Sequence, residues 1–217
     1  KKSLTVGCVI MASGLSRRFG TNKLLADFCG QPMLCRAFAA TATPGIAARI
    51  VVTRSKEVQA LCRAHGVPVL LHSLPGRNDT VRLGLSALLE QQPELSGCMF
   101  LPGDQPLLRR ETVEAMTERF CHEQTSPAEW QKETEREIFR LGAVADNDPN
   151  RLLEVPFCLE AVFFGTAHPA GKQRRQRTAQ KVPCAVRTVC IAAPMELLDA
   201  DTPQVLQQLE ALARLKN

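Results

Sequence analysis

Tyrosine is absent, tryptophan occurs once, and the nine phenylalanines of this 217-residue chain are not interleaved with its cations. A stacking platform for single-stranded nucleic acid needs that interleaving, so nucleic acid is not an expected partner. No apolar run approaches the roughly 18–20 residues that a membrane-crossing helix requires. The apolar stretch at residues 5–12 is too short, and too soon followed by charge, to read as a cleaved signal. The expectation is a soluble, cytoplasmic protein with no membrane partner. The nine cysteines fall singly, at positions 8, 29, 35, 62, 98, 121, 158, 184 and 190, without a Cys-x-x-Cys pair or a Cys/His ligand spacing. That argues against a zinc or cluster site and for small buried hydrophobes in a reducing compartment. A sulfur-relay or metallochaperone reading would have to rest on these thiols alone.

With 45% hydrophobic residues, the chain can bury one sizeable core, and a single domain over residues 1–217 is expected. The formal net charge of +5 suits an anionic small ligand and decides little else.

Punctuation along the chain is regular. Residues 5–12 (TVGCVIMA) read as a strand buried on both faces. Residues 32–43 have helical spacing, with Leu34, Ala37 and Phe38 on one side. A second strand is expected at 48–53, then a helix from 56 to about 64 capped by Ser55. A short strand follows at 67–72, a helix at 78–91 with Asp79 or Thr80 near its start, a strand at 97–102 and a helix at 111–121. Strands and helices alternating at this spacing require right-handed crossovers. The fold class is therefore α/β: a Rossmann-like, mainly parallel sheet with helices on both faces.

In such a sheet, ligands sit at the carboxyl ends of the strands, close to the point where strand order reverses. The loop after Met11, ASGLSRRFGTNK, occupies that place. Gly14 and Gly20 let the backbone approach a bound group, and successive N–H groups in such a loop form an anion-binding concavity. Ser13 and Ser16 add hydroxyls, and Arg17, Arg18 and Lys23 add positive charge. The loop lacks both the Gly-Lys-Ser/Thr ending of a P-loop and the G-x-G-x-x-G of a dinucleotide fold. Its composition fits a polyphosphate; the plainer alternative is a basic surface loop. Asp104, in FLPGDQPLL, ends another buried strand at the same edge of the sheet. It is either a divalent-cation ligand, as in Mg²⁺ sites completed by phosphate oxygens, or a turn former ahead of Glu111.

MASGLSRRFGTNKLL resembles the signature of the nucleotidyltransferases that include molybdenum cofactor cytidylyltransferase, its guanylyltransferase relative and the methylerythritol phosphate cytidylyltransferases. GDQP is similar to the metal-binding Asp-x-Pro of the molybdenum cofactor enzymes, and ELLDADTPQVLQQLE to their closing segment. The resemblance implies that Arg18 and Lys23 grip the triphosphate as the catalytic cations. It implies that Ala12, Ser13, Gly14 and Ser16 hold the nucleotide and that Asp104 carries Mg²⁺. In GRNDTVRLGL it places Thr80 beside base and ribose, with a simple helix cap as the alternative, and Arg17 is expected to face solvent. The implied reaction is displacement of pyrophosphate from the α-phosphorus of CTP by a phosphorylated acceptor, most simply molybdopterin, with a molybdoenzyme as candidate partner. Serine at position 13, where the guanylyl branch has glycine, leaves less room beside the base and favours a pyrimidine. A methylerythritol or guanylyl relative, or a non-catalytic nucleotide-binding accessory protein, remain alternatives.

Residues 122–183 depart from the family pattern and read as a divergent acceptor-side region. There the stretch 129–140 is expected to form a helix with charge pairs, 146–149 a turn, and the basic run 172–181 a solvated loop. The second metal ligand of the family pattern has no match in this region. Asp199 and Asp201 read as caps of the last helix, with contact to the site as the alternative.

Overall fold

The computed structural model describes residues 4–124, 136–144, 152–161, 184–191 and 194–215. Its centre is a seven-stranded sheet in the order β5-β4-β1-β6-β8-β7-β9. The strands are β1 (Val6–Ala12), β4 (Ile46–Thr53), β5 (Val69–Leu71), β6 (Gly97–Pro102), β7 (Arg136–Val144), β8 (Leu152–Ala161) and β9 (Cys184–Ile191). Two-residue strands β2 (Asp27–Phe28) and β3 (Gln31–Pro32) form a separate hairpin. β1 pairs in parallel with both β4 and β6, and only β8 runs against the others. The mainly parallel α/β architecture read from the sequence is the one observed.

Period-two burial divides the core between the two faces of the sheet. Cys8 and Ile10 of β1, Val51 of β4, and Met99 and Leu101 of β6 point to one side. There they meet α1 (Leu34–Thr41), α2 (Lys56–Ala64), α4 (Arg110–Gln124) and α5 (Pro203–Arg214) through Leu34, Phe38, Val58, Met116, Phe120 and Leu209. Val9, Val52 and Phe100 point to the other side, where α3 (Arg77–Gln91) supplies Leu88 and Leu89. A Cβ on Gly84 would stand 2.6 Å from Val9 Cγ1, so the missing side chain is what lets α3 lie this close to β1 and β4.

The chain moves outward from β1 through β4 to β5 and then returns through α3 to β6 on the opposite flank of β1. This reversal opens a crevice beyond the carboxyl ends of β1 and β6. Register fixes it tightly: Met11 lies opposite Pro102, and Gly103 N–H donates to Met11 O at 3.0 Å. The loops that follow Ala12 and Pro102 therefore leave the sheet side by side.

Several local expectations need correction. Helix α1 starts at Leu34 instead of residue 32, because Pro32 is held in the small hairpin opposite Asp27. Residues 136–144 of the stretch expected to be helical form β7, pairing with β8 and β9. Cross-strand partners on both sides there outweigh the charge pairing that a helix would have used. The rest of that stretch, the turn at 146–149 and the basic run 172–181 lie outside the described residues. Ser55 caps α2 as expected, accepting from Val58 N–H at 3.1 Å. α3 begins at Arg77, with Gly76 as its N-cap, and Asp79 accepts from Gly76 N–H at 3.2 Å, so Thr80 is no cap. Thr202, not Asp199 or Asp201, caps the last helix, with Pro203 in its first turn.

Among the described residues, no helix is long and apolar enough to cross a membrane. Cys8, Cys35, Cys62 and Cys98 are buried, and burial pushes the thiols of Cys8 and Cys62 up to about 12 and about 11. Protonated, enclosed thiols are poor sulfur carriers.

Candidate active site

The loop after β1 is shaped by its own side chains. Asn22 Oδ1 accepts from Leu24 N–H and opens a single 3-10 turn at Lys23–Leu25, whose Leu24 is buried in the core. Lys23 N–H donates to Ser16 Oγ at 3.2 Å, folding the loop back on itself. Ser16 adopts a φ of +48°, a left-handed conformation uncommon for a side-chain-bearing residue. The backbone N–H groups of residues 14–18 donate no hydrogen bond among the described residues, the state in which such a loop can receive an anion.

Three loops meet beside it. Lys23 Nζ lies 2.6 Å from Asp104 Oδ2 and 2.9 Å from Asp201 Oδ1. Arg18 reaches the other oxygen of Asp201 at 2.6 Å. Burial pulls the Lys23 pKa down, but hydrogen bonds and charge from Asp104 and Asp201 outweigh it, and the net direction is up. The Asp201 carboxyl is held low, chiefly by its hydrogen bond from Lys23. Asp199 moves the other way: burial raises it, and the neighbouring Asp104 charge adds to that.

A hollow of about 520 Å³ opens here. Residues 11–17, Lys23, Arg54, Thr80, Asp104 and Asp199 all contribute to its lining. Of the residues singled out in the sequence, Ala12, Ser13, Gly14, Ser16, Lys23, Thr80 and Asp104 share this wall. Arg17 is exposed, as expected, and also borders the hollow, while Arg18 is 72% exposed and paired with Asp201. Ser13 lines the hollow, but its hydroxyl faces the sheet, donating to Val52 O at 3.1 Å and lying 2.9 Å from His72 Nε2. Thr80 is buried inside α3, with Oγ1 3.5 Å from the same His72 nitrogen.

Of the two readings open for Asp199 and Asp201, helix cap or contact with the site, the structure shows the second, and it adds residues that hold this segment. Gln105 Nε2 donates to Asp199 Oδ1 at 3.1 Å and to Leu197 O at 3.2 Å, and Ala200 N–H donates to Asp104 O at 2.9 Å. Glu196, buried, accepts from Arg109 and Thr112 at the start of α4. Together these bonds clamp the closing segment against the loop after β6. The signal for them lay in GDQP and MELLDAD, but pairing the two requires the fold.

Among the described residues, no three His, Cys, Asp or Glu side chains form a ready metal cage. Mg²⁺, however, usually takes only one or two protein carboxylates, completed by phosphate oxygens and water. Asp104 and Asp199, both lining the hollow, with Asp201 beside them, are hard oxygen donors of that kind. The like-charge repulsion felt by Asp199 is what a divalent cation would relieve. The donor set fits such an ion.

A 3-deoxy-manno-octulosonate cytidylyltransferase from Neisseria meningitidis is 38% identical over 98 residues, 44% of this chain and 38% of that protein. The enzyme of the same name from Pelodictyon phaeoclathratiforme is 31% identical over 104 residues, 46% of this chain and 40% of that protein. These matches thus span well under half the length of either relative. Many solved structures share the fold, and two of them bear on a ligand. One is a CMP:2-keto-3-deoxy-manno-octonic acid synthetase complexed with CTP (TM-score 0.66, 17% identity, 98% of this chain and 100% of that one). The other is the Rv0371c protein of Mycobacterium tuberculosis H37Rv in complex with manganese (TM-score 0.59, 18% identity, 95% and 98%). The profile of the MobA-like NTP transferase domain matches residues 8–213, nearly the whole length. The chain belongs to the MobA-like NTP transferase family.

Proposed function

We propose that this chain, acting as a single nucleotidyltransferase domain, transfers a cytidylyl group from CTP to an anionic acceptor and releases pyrophosphate. The observation that carries the reading is the position of Lys23. Its ammonium bridges Asp104 and Asp201 at the wall of a hollow also lined by a glycine-containing loop whose N–H groups donate to no described residue. The curated relatives named as cytidylyltransferases support CTP as the donor.

In this reading the triphosphate lies along residues 13–18, its oxygens accepting from the loop N–H groups and from Arg17. Lys23 and Arg18 take up charge on the α-phosphate as the acceptor attacks, exchanging part of their contact with Asp201 for the phosphate. Asp104, Asp199 and Asp201 are the carboxylates available to Mg²⁺, which supplies charge neutralisation on the phosphate oxygens when bound. No covalent enzyme intermediate is required, because positioning and preorganised charge suffice for such transfers. Thr80 and the residues before α3 form the base and ribose side.

GDQP and the closing LDADTP segment favour molybdopterin as acceptor, with a molybdoenzyme downstream. A second reading, a 3-deoxy-manno-octulosonate-type sugar acid, is favoured by the curated relatives, which carry that name. The test is Mg²⁺-dependent pyrophosphate release from CTP, GTP, ATP and UTP, each with either acceptor. Release from CTP with one acceptor is expected. Binding of CTP without release for either would replace the reading with a nucleotide sensor.

A further inference from the structure

His72, in the turn just after β5, makes no wall of the hollow itself, yet it ties together the two sides that do. Its Nδ1 accepts from Leu74 N–H at 3.2 Å. A neutral ring accepting at Nδ1 carries its proton on Nε2. That Nε2–H points at Ser13 Oγ, 2.9 Å away, with Thr80 Oγ1 at 3.5 Å. The direction is consistent along the chain of bonds, because the Ser13 hydroxyl spends its own proton on Val52 O at 3.1 Å and so accepts from His72. The backbone of His72 is fixed in turn by donation to Thr53 O at 3.0 Å. On the far side of Ser13, Arg54 donates twice to its carbonyl, at 3.0 and 2.8 Å.

We propose that His72 is a positioning residue for the nucleotide: in its neutral Nε2–H tautomer it fastens the start of the phosphate loop, through Ser13, to the base and ribose wall formed by Thr80 and the turn leading into α3. This inference rests on the reading of the hollow as a nucleotide site. Ser13, Arg54, Pro75, Gly76 and Thr80 all line that hollow, and each is within this network or in the turn it holds. Protonation would break the arrangement at Nδ1, which would then present a proton to the Leu74 N–H. Two charged groups face the ring: Arg54, which opposes protonation, and Asp79 of α3, which favours it. Burial and Arg54 prevail, so the imidazole is held below its ordinary range. A group depressed in this way keeps its contribution at neutral and alkaline pH and loses it as pH falls through the lowered value.

The experiment measures the Kd of CTP with Mg²⁺, together with kcat and KM, for the parent, His72→Phe and His72→Gln. Phenylalanine keeps an aromatic ring and removes all three polar contacts; glutamine keeps an N–H donor near the place of Nε2 and does not titrate. His72→Phe is expected to weaken CTP binding about tenfold, on the scale of a lost hydrogen bond with its partner left unpaired, with kcat within about twofold. His72→Gln recovers most of that affinity at pH 7. Between pH 7 and 5, parent affinity falls further than that of His72→Gln. In the parent alone, nitrogen NMR of the ring finds the Nε2–H tautomer, a readout that survives even if His72→Phe does not fold. An Nδ1–H tautomer, unchanged affinity in His72→Phe, or identical acid dependence in parent and His72→Gln overturns the proposal. A parent that binds no CTP overturns both this inference and the nucleotide reading; CTP binding indifferent to His72 overturns this one alone.

Discussion

Lys23 Nζ stands 2.6 Å from Asp104 Oδ2, although one follows β1 and the other follows β6. The contact exists because parallel register brings the two strand ends level, and it makes each residue answerable for the other's charge. Lys23→Ala is expected to lower kcat by roughly 100- to 1000-fold, on the order of 2.7–4 kcal/mol, as for removal of one preorganised donor to a developing charge. Asp104→Asn should give a comparable loss and a higher Mg²⁺ requirement. Pyrophosphate release from CTP is the measurement, and a rate equal to the parent's in either variant would sink the site assignment.

The ion pair between Lys23 and Asp201 sets a pH window for stability in metal-free protein. Asp201 is held below the usual carboxylate range, so its contribution is complete above about pH 4 and disappears as pH falls through the lowered value. Lys23 is raised, so its contribution is complete below about pH 10.4 and disappears as pH climbs past the raised value. Thermal unfolding followed from pH 7 to 2 in chelator should show a steeper fall for the parent than for Asp201→Asn.

Asp199 works against the metal-free fold. Its carboxyl is raised by burial and by Asp104, so ionising it at neutral pH costs stability. Asp199→Asn, which can still accept from Gln105, should raise the metal-free Tm by about 2–4 °C, the equivalent of ~1 kcal/mol at this chain length. The same variant should lose much of the stabilisation that Mg²⁺ gives the parent, about 2.7 kcal/mol at a hundredfold excess over Kd. Calorimetric scans with and without the cation decide it, and a lowered metal-free Tm contradicts the account.

Two glycines in the phosphate loop separate binding from folding. A Cβ at Gly14 meets nothing within 4 Å, so Gly14→Ala should fold with an unchanged Tm yet raise the KM for CTP, since under the proposed function the added methyl would stand where backbone and phosphate approach. Gly20 has φ +82°, which an alanine adopts only under strain. Gly20→Ala should therefore lose about 1 kcal/mol of stability, read from denaturant unfolding. A Gly14→Ala protein less stable than Gly20→Ala would reverse this assignment.

Legibility followed burial and punctuation. β1, β4 and β6 were readable because strands covered on both faces are continuous apolar runs, and α2 because Ser55 announces it. β7 was not, because Arg136–Val144 owes its conformation to partners on both sides that its own letters do not name. In the site, Lys23 was visible as a cation of the loop after β1, and Asp104 as a charge just past the apolar β6. Which of Arg17 and Arg18 borders the hollow was not legible, because adjacent residues on a turn differ only in where the turn points them.

By itself the sequence determined the alternation of elements from β1 to α4, the glycine- and cation-containing loop after β1 and the carboxylate after β6, since each depends on residue type and local order. Tertiary structure alone decided that Asp199 and Asp201 lie beside the hollow instead of capping the helix, that Gln105 holds Asp199, and that Glu196 ties the closing segment to the start of α4. It alone made His72 the link between Ser13 and Thr80. Those relationships join segments far apart in the chain, and only the register of the sheet and the packing of α3, α4 and α5 on its faces bring them within hydrogen-bonding distance.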